Sequence, residues 1–208
     1  MSKKQKIIVL LNLLTVAVQI YASTICIINR GWYAFQYYTM DSNIFAAITS
    51  IMLIFSLLKN GKSSELIQKY RYYSTCCVTL TFIVVVTILV PIAGWHTLPN
   101  RLFMGTDLWL HTVGPLINVF SFLVLETEFD LDKKQPLFAI IPTFIYAVIA
   151  IILNLARVID GPYVFLRIYD QGLLMTLVWL IVISVLVLGI AYSLKLGNKK
   201  ISTKSKNK

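Results

Sequence analysis

The chain has 208 residues, of which 58% are apolar and only 13% charged, with a mean hydropathy of +0.77. A water-soluble domain has no way to hide that much apolar surface, so the composition excludes a soluble globular protein and makes lipid the solvent. The net charge of +10 does not point to nucleic acid, because the positive residues sit in short segments between apolar runs and at the C-terminal end, as membrane topology requires.

The first six residues, MSKKQK, precede an apolar run of about 22 residues. That run is longer than the hydrophobic stretch of a cleaved signal, and no small-x-small cleavage site stands out, so it reads as a retained first span. A bilayer-spanning helix needs roughly 20 mostly apolar residues. On that measure spans fall at about 7–28, 38–58, 72–94, 107–125, 137–156 and 172–194. Runs of this length are too long for barrel strands. The expected fold is an all-α membrane protein, a six-transmembrane-helix bundle in a single domain over residues 1–208, with a basic tail at 197–208.

Lysine and arginine set the orientation. Fifteen of the 19 lie on one side: Lys3, Lys4 and Lys6, then Lys59, Lys62, Lys69 and Arg71, then Lys133 and Lys134, then Lys195 and the later lysines. Arg30, Arg101, Arg157 and Arg167 lie on the other. The expectation is a multi-pass protein of the cell membrane, N-in and C-in, with the tail cytoplasmic. The outer face also holds Asp41, Asp107, Asp160, Asp170, His96 and His111, with Trp32 and Trp95 as belt residues. Arg101, Arg157 and Arg167 are expected to pair with Asp107, Asp160 or Asp170 there, since the guanidinium fork suits carboxylates.

Two spans carry polar residues into the hydrocarbon. After Asn43 only about 15 apolar residues precede Lys59, enough for roughly 22 Å of a core about 30 Å thick. The second helix must therefore begin near Tyr38, which draws Thr39, Asp41, Ser42 and Asn43 into the outer leaflet; Thr39, Ser42 and Asn43 share a face. In the fourth span only about ten apolar residues separate Pro115 from Glu126, so the helix must reach back to about Asp107. His111 then lies below the outer boundary, on one stripe with Asp107 and Asn118. Ionisable groups at that depth are costly and usually mark a site. The plain alternatives are helix N-capping for Asp41, Ser42 and Asn43 and helix-to-helix hydrogen bonding for Thr39 and His111.

The chemistry such a set supports is a Thr39–His111 dyad. A threonine hydroxyl is a weak nucleophile until a base takes its proton, and histidine is the usual base. Asp107 is placed to orient the ring; Ser42, Asn43 or a free N–H at the start of the second span is placed to hold an oxyanion. Cys26, Cys76 and Cys77 lie in or beside apolar runs without metal-ligand spacing, and read as small buried side chains. No metal or cofactor is expected.

Three segments carry a resemblance. Tyr37-Tyr38-Thr39-Met40-Asp41-Ser42-Asn43 resembles the aromatic-Thr-x-x-Ser-Asn start of the second span in bacterial relatives of the androgen-induced integral membrane protein family. Leu110-His111-Thr112-Val113-Gly114-Pro115 resembles that family's Leu/Met-His-x-x-x-Pro segment. Asp160-Gly161-Pro162-Tyr163-Val164-Phe165-Leu166 is similar to its Gly/Tyr-Pro-Tyr-x-Phe-Leu loop, which by itself also reads as a tight turn. Animal members are threonine hydrolases of fatty acid esters of hydroxy fatty acids. The resemblance therefore implies Thr39 as nucleophile and His111 as its base, acting on a membrane lipid or other acyl ester. In the animal pattern one more residue separates His from Pro, and the Ser-Asn pair is absent. Two other functions fit six spans of this size: a substrate-binding or transport component for a small solute, and a non-catalytic structural membrane protein.

Overall fold

The computed structural model describes residues 1–127 and 131–206, with side chains described through residue 203. Six of its helices are long and apolar enough to cross a membrane. They are α1 (Lys3–Arg30), α2 (Tyr38–Asn60), α3 (Glu65–Ala93), α4 (Gly105–Leu125), α5 (Gln135–Leu155) and α6 (Ile168–Lys206). The chain is a multi-pass membrane protein.

Local chemistry sets the helix ends. α1 opens on a capping box, in which the Ser2 hydroxyl accepts from the Gln5 amide and the Gln5 side chain accepts from the Ser2 amide, so two orphan donors are satisfied at once. α2 stops at Gly61, whose φ of +66° supplies the left-handed cap that a side chain would resist. The Ser64 hydroxyl accepts from the Ile67 amide to start α3.

α2 begins at Tyr38, where the span-length argument puts it. α6 runs past its expected inner end. Its first residues are offset by a break at Gly172 (φ +81°, ψ +162°), so regular winding begins beyond it. At the other end the helix runs on to Lys206, through the basic segment that begins at residue 197. Nothing in that sequence breaks a helix, and Asn198 docks it: its side-chain amide donates to the carbonyls of Phe122 (2.7 Å) and Glu126 (3.2 Å).

α3 is the central element, packed on α2, α4 and α6, while α1 lies along α2 and α4. In the most apolar stretch of each helix, 56% of α2 is buried but only 17% of α6, which makes α6 the lipid-facing wall. Lipid tails give little hydrophobic reason for helices to associate, so packing and interhelical hydrogen bonds must do it. The buried side of α1 accordingly carries Asn12, Thr15, Gln19 and Ser23. Across other interfaces, hydroxyls pair as Thr49–Ser74 at 2.7 Å, Ser42–Thr81 at 3.0 Å and Tyr38–Thr143 at 2.8 Å.

Arg71 overturns one sequence expectation. Its neighbours place it among the basic residues of an inner loop, but its side chain is fully buried on α3. Its Nε and Nη2 donate to the two carboxylate oxygens of Glu126 at 3.2 and 3.0 Å. Nη1 donates to Ser50 (3.0 Å) and to the Asn118 side-chain oxygen (2.9 Å), and Ser121 donates to Glu126 at 2.6 Å. A buried guanidinium is tolerated because the fork finds a carboxylate and two further acceptors. Removing Arg71 from the count leaves the basic asymmetry intact.

Candidate active site

The start of α2 and the first turns of α4 meet. Thr39 Oγ1 lies 3.2 Å from His111 Nε2. His111 Nδ1 lies 2.9 Å from the backbone oxygen of Arg101. A carbonyl oxygen only accepts, so Nδ1 carries the proton and Nε2 of the neutral ring is the free acceptor. The Thr39 hydroxyl therefore donates to Nε2, the direction in which a base activates a nucleophile.

Backbone geometry places both partners. The chain passes through a short helix, Leu98–Phe103, and turns into α4, which brings Arg101 O beneath the imidazole. Around His111 the helix is wound wide: over Leu108–Val113 it forms a π-turn, closed where the Gly114 amide donates to Trp109 O. Such turns are frequent at functional sites. Gly114 is needed there, because a Cβ would stand 2.3 Å from the Gln19 side-chain nitrogen and 2.9 Å from Trp109 O.

The remaining sequence candidates have varied places. Asp107 sits one turn before His111 with Oδ1 3.9 Å from Nδ1, outside hydrogen-bond range, so the Arg101 carbonyl holds the ring instead. Ser42 and Asn43 both bond the carbonyl oxygen of Thr39, at 3.2 and 2.7 Å, and Asn43 also donates to Leu110 O at 3.1 Å. They fix the Thr39 backbone and tie α2 to α4, and their donors are spent. Asp41 lines a different cavity of about 310 Å³, with Tyr146 and Pro142. Asn118 lies in the Arg71 network rather than with His111. Of the expected arginine–aspartate pairs, among the described residues only Arg167–Asp170 forms, at 3.7 Å. Arg157 lies over the Tyr169 ring at 4.7 Å.

Tyr163 lies in the loop that carries the third resemblance, which by itself reads as a tight turn, and it is not among the expected site residues. The loop before α6 turns at Gly161, where φ is +89° and a Cβ would meet Arg167 Cγ at 2.9 Å. This turn directs Tyr163 at the start of α2, with its ring stacked on Phe165 at 5.1 Å. Burial pushes its phenol up to about 12, with Thr39 and Tyr38 as its polar neighbours. At neutral pH it is a protonated donor beside Thr39. The amides of Tyr38 and Thr39 open α2, whose first turn leaves its N–H groups without partners within the helix.

Two cavities meet at Thr39 and Tyr163. One is a narrow cleft lined by Leu80, Val84, Phe165, Trp179 and Ile183 among others, almost entirely apolar. The other, about 360 Å³, is lined by His111, Arg30, Arg101, Arg167 and Asp107. Comparison with known proteins finds no matching family model, no matching curated protein and no matching solved structure.

Proposed function

We propose that the protein is an intramembrane lipid-ester hydrolase of the threonine type, set in the cell membrane with both termini cytoplasmic. The observation that carries this reading is the 3.2 Å contact between Thr39 and His111, whose ring is held by Arg101 O in the tautomer a general base requires. A structural hydrogen bond needs no such tautomer, no donor such as Tyr163 beside it, and no pair of cavities meeting at the hydroxyl. The motif resemblance to threonine hydrolases supports the same roles. The basic asymmetry supports the orientation, which puts the dyad in the outer leaflet.

In the proposed reaction the acyl chain enters the apolar cleft from the side of α6, where Trp179 and Ile183 are only partly buried. Thr39 Oγ attacks the ester carbonyl carbon while its proton passes to His111 Nε2. The Tyr163 hydroxyl and the first amides of α2 hold the charge that develops on the carbonyl oxygen. The bond between the acyl carbon and the ester oxygen breaks, and that oxygen leaves as the alcohol with the proton from Nε2. A water molecule, deprotonated by the same nitrogen, attacks the acyl-threonine, releasing the fatty acid and restoring the hydroxyl.

The test is labelling of the purified protein with a long-chain fluorophosphonate, alongside hydrolysis of a long-chain ester. Wild type should react in both assays and Thr39→Ala in neither. Equal labelling of the two proteins would overturn the assignment.

A further inference from the structure

We infer that the ester is a glycerophospholipid with an anionic headgroup, and that Arg30, Arg101 and Arg167 hold its phosphate beside Thr39. This rests on the hydrolase reading and names its substrate class.

Three arginines line one cavity from three separate parts of the chain: the end of α1, the short helix before α4 and the loop before α6. A single carboxylate, Asp107, lines the cavity with them. Arg101 has no partner for its guanidinium among the described residues. Arg30 rests on the Tyr37 ring at 5.1 Å, and Arg167 donates to Gly161 O at 3.1 Å, with Asp170 at 3.7 Å. Arginine forks of this kind match the oxygens of phosphate, and several converge where one anion is to be held. A neutral ester would give them nothing to bind.

Position decides between phosphate and a more distant acid. His111 and the arginines line the same chamber, of about 360 Å³. The anion must therefore lie only a few bonds from the ester, on its alcohol side, with the acyl chain in the apolar cleft across Thr39. In a glycerophospholipid the phosphate is attached to the same glycerol that carries the acyl esters. A carboxylate at the end of a long alkyl chain would overshoot. The reaction consumes one water, breaks one acyl C–O bond, and releases a fatty acid and a lysophospholipid, leaving the phosphodiester intact.

The test uses full-length protein in mixed micelles with three esters of matched acyl chains: phosphatidylglycerol, diacylglycerol, and a carboxylate-terminated ester with a long alkyl spacer. Phosphatidylglycerol should be preferred by about tenfold or more, as expected for charge-assisted contacts. Arg30→Gln and Arg167→Gln should each collapse the ratio of kcat/KM values between phosphatidylglycerol and diacylglycerol. Equal use of phosphatidylglycerol and diacylglycerol, unaltered in the variants, would overturn the headgroup assignment while the hydrolase stands. Preference for the carboxylate ester would overturn the phosphate. Retention of lipid by Thr39→Ala in native mass spectrometry supplies a readout independent of turnover. Arginine-dependent retention of phosphatidylglycerol without hydrolysis of any ester would uphold the headgroup site and sink the hydrolase. Retention insensitive to arginine substitution would sink the site. Competition by glycerol phosphate as strong as by the lipid would assign the arginines to a free phosphate compound and overturn the lipid.

Discussion

The backbone oxygen of Arg101 lies 2.9 Å from Nδ1 of His111 and so decides which ring nitrogen faces Thr39. The same ring has Asp107 Oδ1 at 3.9 Å, yet a neutral carbonyl acceptor is the closer partner. The imidazole is thereby oriented without being held as an ion pair.

His111→Ala should lower ester hydrolysis by about 10²- to 10⁴-fold, the usual contribution of a positioned base. Thr39→Ala should abolish it, and the double variant should be no worse than Thr39→Ala, because the two act as one unit. Protonation of Nε2 removes the acceptor, so the rate should fall as pH drops through the histidine titration. Asp107→Asn should leave most activity, whereas a triad role for Asp107 would make that variant as poor as His111→Ala. Single-turnover assays on detergent-solubilised protein settle the comparison.

Tyr163→Phe should reduce kcat by roughly 10²- to 10³-fold, the effect of losing one oxyanion donor, and change KM little. Because burial lifts the phenol from its ordinary value of 10.0 to about 12, the donor stays protonated through the neutral range. The folded state resists ionisation that the unfolded chain accepts near 10, so stability is full below that pH and declines as pH rises toward 12. A wild-type alkaline limb near pH 10 that vanishes in Tyr163→Phe would contradict this.

Gly114→Ala should destabilise the bundle by about 1 to 3 kcal/mol, as overpacking does. The added methyl meets the Gln19 amide at 2.3 Å and Trp109 O at 2.9 Å, so α1 must shift or the wide turn must change. Thermal unfolding in detergent measures the loss; an unchanged midpoint would show that Gln19 simply swings aside.

Arg71→Met or Glu126→Leu alone should cost about 3 to 5 kcal/mol, because each strands a buried charge. The two together should recover much of that. Additive losses in the double variant would mean that the surrounding Ser50, Asn118 and Ser121 contacts, rather than the pair itself, carry the stability.

A cysteine at Lys62 should resist a membrane-impermeant maleimide in intact cells, and one at Arg157 should react. The reverse pattern would invert the proposed topology and move the dyad to the inner leaflet.

Much of the fold is legible in the sequence because hydropathy over about 20 residues is a strong signal. The shortage of apolar residues after Asn43 and after Pro115 also places Thr39 and His111 in one leaflet. The illegible features have physical causes. Arg101 acts through its carbonyl, which every residue possesses. Tyr163 sits in a segment that reads equally well as a turn. Arg71 lies among lysines and looks like another loop charge, since its partner Glu126 is 55 residues away. Regular helical spacing puts Asn118 on the His111 stripe, but the wide turn over Leu108–Val113 adds about one residue and rotates the rest of the helix by roughly 100°. Asn118 therefore faces Arg71.

That distance along the chain matters during synthesis. Arg71 is synthesised before any of α4 exists. At about 5 to 20 residues per second the carboxylate that matches it arrives roughly 3 to 11 s later. Arg71 lies in the second turn of α3, near enough to the helix end for its long side chain to reach the headgroups meanwhile. Its final burial therefore waits for α4, and the nascent chain has a step at which the first three helices are threaded but not yet locked. Truncated chains ending before Glu126 should leave Arg71 accessible to water, and those ending beyond it should not.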